Sequence, residues 1–293
     1  MDQTRPLTKN QVLQAIGAAL KDKRPFSVVR VGDGENIVLA QYDLLPEKEL
    51  KKTAVGSQWP SHPAGVRLPD TKARDEVLAS LKSVDLIGIL PYNDKRIYAP
   101  DKYKRPLTDK IFEYHGISPK ATFDAYMFRN ILSDSSFWKL MVGKRIAVIS
   151  KWAVQFKVAA QYAAHHWNFS IASTLNINNY YNIPKVLKQL ESLDFDIAFL
   201  GAGVGAIVLS QQIAERFGKV AIDIGQGISN VAKGTVKIPL PLNKSIASHT
   251  NAKAQLAHPG KSSGRHWTGN GASRHQYSGN GGAVHWVQGG KTH

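Results

Sequence analysis

Residues 196–224 read DIAFLGAGVGAIVLSQQIAERFGKVAIDI. Asp196 to Leu200 is a short apolar run closed by a glycine, the pattern of a buried strand. Val204 to Phe217 places its apolar residues at helical spacing and stops at Gly218, a residue suited to ending a helix in the left-handed conformation. Lys219 to Ile224 is a second buried strand. Two strands joined by a helix of this length predict a parallel pair with a right-handed crossover.

Upstream, the same alternation extends the sheet. Arg145 to Ser150 reads as a strand, Trp152 to His165 as an Ala-rich helix and Ser170 to Thr174 as a weak strand. Pro184 to Leu193 reads as a helix with proline at a permitted first-turn position. Nearer the start, Thr8 to Leu20 is a helix with Thr8 as its N-cap, Ser27 to Val31 a buried strand, Thr71 to Ser83 an amphipathic helix and Asp85 to Leu90 a buried strand. Thr122 to Leu140 resumes a helical pattern, with Ser133 to Ser136 as an interruption. The fold class expected is therefore α/β, a Rossmann-like, mostly parallel sheet flanked by helices.

Two stretches carry chemistry. The first is Arg30-Val31-Gly32-Asp33-Gly34-Glu35, directly after a strand. In an extended or turning backbone, carboxylates at i and i+2 face one point in space, and Gly32 and Gly34 let a phosphate or cation come close to the main chain. Arg30 adds a fixed charge suited to a phosphate oxygen. The same letters also describe a glycine turn in which Glu35 stands at a helix N-terminus and offsets the dipole. Helix is expected from Ile37.

The second stretch is Gly201-Ala202-Gly203-Val204-Gly205-Ala206 at a helix start, where exposed N–H groups attract phosphate. It fits G-x-G-x-x-A, with Asp223 at the end of the next strand, the layout of a dinucleotide fingerprint. An NAD(P)-dependent or other Rossmann-type nucleotide-binding enzyme is thus the rival reading, with Asp223 on a ribose. Against it, the unit comes late in the chain, and Asp33 and Glu35 are left without a task. Lys151, directly after the strand ending at Ser150, would open onto the same crevice, or be a solvent-exposed first-turn residue.

The string RVGDGE after a strand, the late GAG loop and the sequence Ile222-Asp223-Ile224-Gly225 resemble the bacterial GT-D-type glycosyltransferases, once catalogued as a domain of unknown function. The resemblance runs from Pro25 to Gly227. It implies a DxE motif at Asp33 and Glu35 that serves metal and nucleotide sugar, with Mn or Mg as the divalent cation. It also implies a hexose moved from a nucleoside diphosphate sugar, a UDP-sugar by expectation, to a hydroxyl of a glycan, glycoprotein or lipid-linked acceptor. Arg30, Gly32, Gly34, Lys151, Gly201 and Gly203 are the expected nucleotide-sugar-binding residues. The closing strand of that family commonly ends in His, where this chain has Gln226, and Gln226 is assigned no catalytic role.

Composition sets the outer limits. The chain has 293 residues, no Cys and a formal net charge of +16. Without Cys there are no disulfides, no thiol nucleophiles and no Cys-ligated zinc, so any metal rests on Asp, Glu, His or backbone oxygens. No apolar run spans a bilayer and Met1 to Asn10 has no signal-peptide core, so cytoplasmic residence is expected. The positive charge suits an anionic ligand, and no motif for specific nucleic-acid binding is present. Residues 1–240 are expected to form the catalytic domain. Residues 241–293, rich in Gly, Ser, His and Lys and free of acidic residues, are expected to be a disordered tail with weak contact to anionic surfaces. The Tyr-, Lys- and Arg-rich segment Tyr92 to Pro106 and the loop Trp59 to Pro63 are read as surface structure, with sugar contact as the alternative.

Overall fold

A computed structural model of the chain describes residues 5–58 and 62–241. The elements run α1 (Lys9–Lys21), β1 (Phe26–Val31), α2 (Asp33–Leu39), the short α3 (Glu47–Leu50) and α4 (Ala54–Ser57), α5 (Thr71–Leu81) and β2 (Leu86–Ile89). They continue with α6 (Arg105–His115), β3 (Thr122–Asp124), α7 (Ser135–Leu140), β4 (Arg145–Ser150), α8 (Ala153–Trp167) and β5 (Ser170–Leu175). The last are α9 (Ile183–Leu190), β6 (Ile197–Gly201), α10 (Gly205–Phe217), β7 (Val220–Asp223) and α11 (Gln226–Ala232).

The seven strands form one sheet in the order β3-β2-β1-β7-β6-β4-β5, and every pairing is parallel. Helices cover both faces, so the central strands are apolar on both sides instead of alternating with polar residues. Val29 and Val31 of β1 pack with α2, α5, α9 and α10 in one core. Phe26 and Val28 of the same strand point into the other core, with α1, α7, α8 and α11. The chain winds from β1 outward to β2 and β3, crosses, and returns through β6 to place β7 beside β1. That β1/β7 junction is the topological switch point, the place where open α/β sheets bind ligands beyond the carboxyl ends of their strands.

Two expectations need correction. Helix α2 begins at Asp33, not Ile37, so the acidic motif is a first helical turn and not a loop. The 122–140 segment is not one helix: it opens with strand β3, continues in 3₁₀ turns, and becomes helical only at Ser135. Strand β3 fits because Gly88 of β2 lacks a side chain, and a Cβ there would lie 2.7 Å from the Phe123 ring. The tail from residue 242 and Trp59 to Ser61 lie outside the described residues. Among the described residues no helix is long and apolar enough to cross a membrane.

Candidate functional site

The carboxyl ends of β1, β7, β6 and β4 stand side by side and bring the expected residues to one rim of the sheet. Arg30 is the one charged residue within β1, and its guanidinium reaches across the switch point to Asp223 at the end of β7. Nε donates to Oδ2 at 3.1 Å, Nη2 donates to Oδ1 at 3.0 Å, and Nε also lies 3.2 Å from the Asp223 carbonyl. A two-pronged bond of this kind fixes both groups in place. Gly225 makes room for it: its backbone has φ +56 and ψ −127, and a Cβ would fall 1.9 Å from Arg30 Nη2.

Directly after Val31, Gly32 caps α2 and Asp33 and Glu35 occupy the first and third helical positions. Glu35 folds back so that Oε2 accepts the Gly32 N–H at 3.0 Å, satisfying one of the free amides at the helix start. Gly32 has no side chain to return the bond. In a helix, residues two apart diverge, so Asp33 and Glu35 are not the facing pair that an extended backbone would make. The dipole-offsetting reading of Glu35 thus describes its Oε2, and the carboxyl also takes a bond from its own backbone N–H.

The electrostatics at this rim are unbalanced. Burial would lower the affinity of Arg30 for its proton, but the charge and hydrogen bonds of Asp223 outweigh it and hold the guanidinium above its ordinary value. Burial pushes the Asp223 carboxyl up, and Arg30 only partly reverses this. Glu35 is pushed up to about 7, first by burial and then by the Asp223 charge, with Arg30 opposing and Asp33 adding to the rise. His62 stands near Asp33: burial lowers its pKa while Asp33 draws it up, and the net direction is down. Its Nδ1 accepts the Ala64 N–H at 3.1 Å, which fixes the neutral tautomer with the proton on Nε2.

The glycines of the second stretch serve the chain's own packing. Gly203, at φ +56, lies under the loop that carries His62, and a Cβ would meet Pro63 O at 2.2 Å and Ala64 O at 2.6 Å. The Ala64 carbonyl accepts the Val204 N–H at 3.1 Å, so the start of α10 is partly capped from within. Gly201 sits against Gly225 O and Ser150 Oγ, each 3.1 Å from where a Cβ would be. A dinucleotide needs the Gly203 backbone open and the Asp223 carboxylate free, and both are engaged. Gly34 is the exception among the motif glycines, since a Cβ would meet only ordinary contacts at 3.8 Å and 3.9 Å. Lys151 is exposed in the turn between β4 and α8.

No three His, Asp or Glu side chains among the described residues stand together as a complete metal cage. The carboxyl groups not paired with Arg30, those of Asp33 and Glu35, are hard donors of the kind Mg or Mn takes when substrate phosphates and water complete its shell. The donor set thus fits a cation shared with a diphosphate and does not fit one enclosed by protein alone. A groove of about 730 Å³ lies elsewhere, between α5, α9 and α10, lined by Asp70, Glu76, Tyr180, Tyr181 and Arg216. The 62–67 loop touches it as well: Gly65 O accepts the Tyr180 N–H, and the Arg67 N–H donates to Tyr181 Oη.

Sequence reasoning did not identify the Arg30–Asp223 bond or the need for Gly225. The signals were an arginine inside an otherwise apolar strand and an Asp-Ile-Gly at the end of another. Each is ordinary alone, and only the β1/β7 pairing makes them partners.

Compared with known proteins, residues 7–231 match the model of a family described as GT-D-like, a GT-D fold-like domain. Two solved structures are similar, each with a TM-score of 0.48 and 15% identity, covering 79% of this chain and 83% of the other. One is the selenomethionine-substituted structure of domain of unknown function 1792; the other is titled as showing that this domain has a distinct glycosyltransferase fold. At that distance the likeness adds nothing to the family match. No curated protein matches.

Proposed function

The chain belongs to the GT-D fold-like family, and with it to the glycosyltransferases; from that premise we propose that it transfers a hexose from a nucleoside diphosphate sugar to an acceptor hydroxyl. The observation that carries this reading is the charge count at the switch point. Asp223 is paired with the Arg30 guanidinium, and Glu35 and Asp33 stand beside that pair, so the rim gathers two carboxyl groups beyond the one Arg30 balances, with Glu35 pushed up to about 7 by its surroundings. Asp33 and Glu35 would hold a divalent Mn or Mg ion there, which would supply positive charge for the diphosphate of a UDP-sugar.

Each residue then has a task. Asp33 and Glu35 are the ligands the chain would offer the cation. Asp223 is spent on Arg30, and the pair sets the shape of the crevice floor. Gly32 and Gly34 keep the main chain beneath the motif free of side chains, Gly201 and Gly203 bring the neighbouring backbones close, and Lys151 adds charge at the lip for a phosphate oxygen. The cation, when bound, neutralises charge building on the leaving diphosphate. In the transfer itself the acceptor oxygen bonds to the anomeric carbon as the bond from that carbon to the diphosphate oxygen breaks. The nucleoside diphosphate leaves with the electron pair, and the acceptor proton passes to a carboxylate or water. A hydroxyl on a glycan, glycoprotein or lipid-linked sugar fits this chemistry equally.

The test is donor turnover. With Mn present and a panel of nucleotide sugars, the wild-type chain should release nucleoside diphosphate, while Asp33→Asn and Glu35→Gln should lose that activity and keep a cooperative thermal transition. Full activity in both variants, or turnover unaffected by EDTA, would sink the reading. Micromolar binding of NAD or NADP by calorimetry would restore the dinucleotide alternative, which the engagement of Asp223 and Gly203 speaks against.

A further inference from the structure

Charge along this chain is less evenly spread than the total of +16 suggests. Between Ser135 and Leu190 there is no Asp or Glu, while Lys139, Lys144, Arg145, Lys151, Lys157, Lys185 and Lys188 fall in the same interval. After Asp223 the sequence contains no acidic residue at all. These two intervals contain α8 and α11, which pack against each other, with Lys233 Nζ 4.8 Å from the centre of the Trp152 ring.

Helix α8 buries Ala153, Phe156, Ala160, Ala163 and Trp167 against the sheet. At about 100° per residue, the line opposite that buried stripe passes through Lys151, Val154, Val158, Tyr162 and His165. It is exposed: Val154 is 60% accessible, Val158 68% and Tyr162 66%. Three large apolar side chains on successive turns, flanked by Lys151 and Lys157 and by Lys233 just past the end of α11, make a surface that water does not favour and that no neighbouring element among the described residues covers. Its N-terminal end follows β4 directly, on the same rim of the sheet as Arg30 and Asp33.

We propose that the exposed face of α8, with Lys233 just past the end of α11, docks on a bilayer surface carrying anionic headgroups. The chemistry selects this occupant over its competitors. A second copy of the same face would set lysine against lysine with no carboxylate between them. A nucleic acid would use the lysines but has nothing to gain from Val154 and Val158, which offer no hydrogen bond and no aromatic plane. A lipid interface uses all of it: apolar side chains enter the headgroup–acyl boundary, Tyr162 sits with its hydroxyl toward water, and the lysines pair with lipid phosphates. Docked this way, the sheet rim with the candidate site faces along the membrane surface. The inference stands apart from the sugar-transfer reading and does not depend on it.

The experiment is co-sedimentation of the full-length chain with vesicles of phosphatidylcholine alone and with phosphatidylglycerol added. Binding should require the anionic lipid and weaken with salt. Val158→Asp/Tyr162→Asp and, separately, Lys157→Glu/Lys233→Glu should each reduce partitioning roughly tenfold or more, since each cation near such a surface and each inserted side chain adds measurably to binding. All four positions are exposed, so unchanged circular dichroism and melting should accompany the loss. The proposal is overturned if the wild-type chain does not bind, or if both double variants bind as well as wild type, which would leave the basic C-terminal sequence to carry the attraction. It is also overturned if duplex DNA competes the chain off vesicles while the Val158→Asp/Tyr162→Asp variant binds DNA less well. A dimer in sedimentation velocity that the same variant converts to monomer would overturn it too.

Discussion

Gly225→Ala tests how the rim is built. A Cβ at this position would lie 1.9 Å from Arg30 Nη2 and 2.9 Å from its Cζ, and the guanidinium is pinned by two bonds to Asp223. The backbone at φ +56 and ψ −127 belongs to a region that side chains avoid, at a cost of about 1–3 kcal/mol. Displacing Arg30 also leaves Asp223, whose side chain is 7% exposed, without its partner, and breaking a buried pair costs about 3–5 kcal/mol. The two costs overlap, because one backbone shift relieves part of both, so about 4 kcal/mol is expected. For a domain of this size that lowers Tm by roughly 8–16 °C. Gly218→Ala is the control: its φ is +65 and nothing lies within 4 Å, so only the left-handed backbone matters, at about 1–2 kcal/mol. Thermal unfolding of both variants, with Arg30→Ala and the Arg30→Ala/Gly225→Ala double variant completing a cycle, isolates the steric part. Removing Arg30 should make the alanine at 225 much less costly. Equal melting of the two glycine variants, or strict additivity in the cycle, would refute the reasoning.

Two further outcomes follow from the same region. Glu35 has its pKa raised from 4.5 to about 7, so folding takes up a proton, and the contribution of this group is full below pH 4.5 and lost as pH rises to 7. In EDTA, Glu35→Gln should therefore match wild type near pH 4.5 and exceed it above pH 7 by roughly 1–3 kcal/mol, after allowing for partial solvent screening; denaturant melts across pH read this out, and a difference that grows toward low pH would contradict it. Asn36 is fully buried in the second turn of α2, and its Nδ2 donates to the carbonyls of Tyr103 and Lys104 and to Thr108 Oγ1. Asn36→Leu should cost about 2–4 kcal/mol by leaving those acceptors unpaired, and protease cleavage between Tyr92 and Arg105 should accelerate with it, whereas cleavage elsewhere should not.

The parallel sheet was legible because its strands at 145–150, 197–201 and 220–223 are apolar on both faces and separated by helices with clear stops. Gly218 ends α10 as its sequence position implies, and Thr8 caps α1 in a two-way bond with Gln11. Strand β3 was not legible. Three residues, Thr122 to Asp124, carry no period, and their place beside β2 is decided by the space above Gly88, which lies far away in sequence. Helix α6 escaped notice because the charged residues that surround its start read as loop, while only Leu107, Thr108 and Ile111 are buried. At the site, the acidic motif was visible, but its helical conformation was not, because Gly32 and Gly34 argue locally for a turn. The glycines of 201–205 looked like a phosphate cradle, and Gly203 instead accommodates the backbone of a loop whose position no local pattern records.

Pairing of Phe26 with Val220 has a consequence for how the molecule comes into being. A nascent chain leaving the ribosome presents its first strand early, yet the neighbour on one side is encoded almost two hundred codons later. Until then that backbone edge stays unzipped, and Arg30, 193 residues ahead of Asp223, has no counterion to meet. Assembly from such distant parts is slow and exposed to mispairing. Chains halted before Asp223 should therefore never acquire the working rim, however much of the remaining architecture has already condensed.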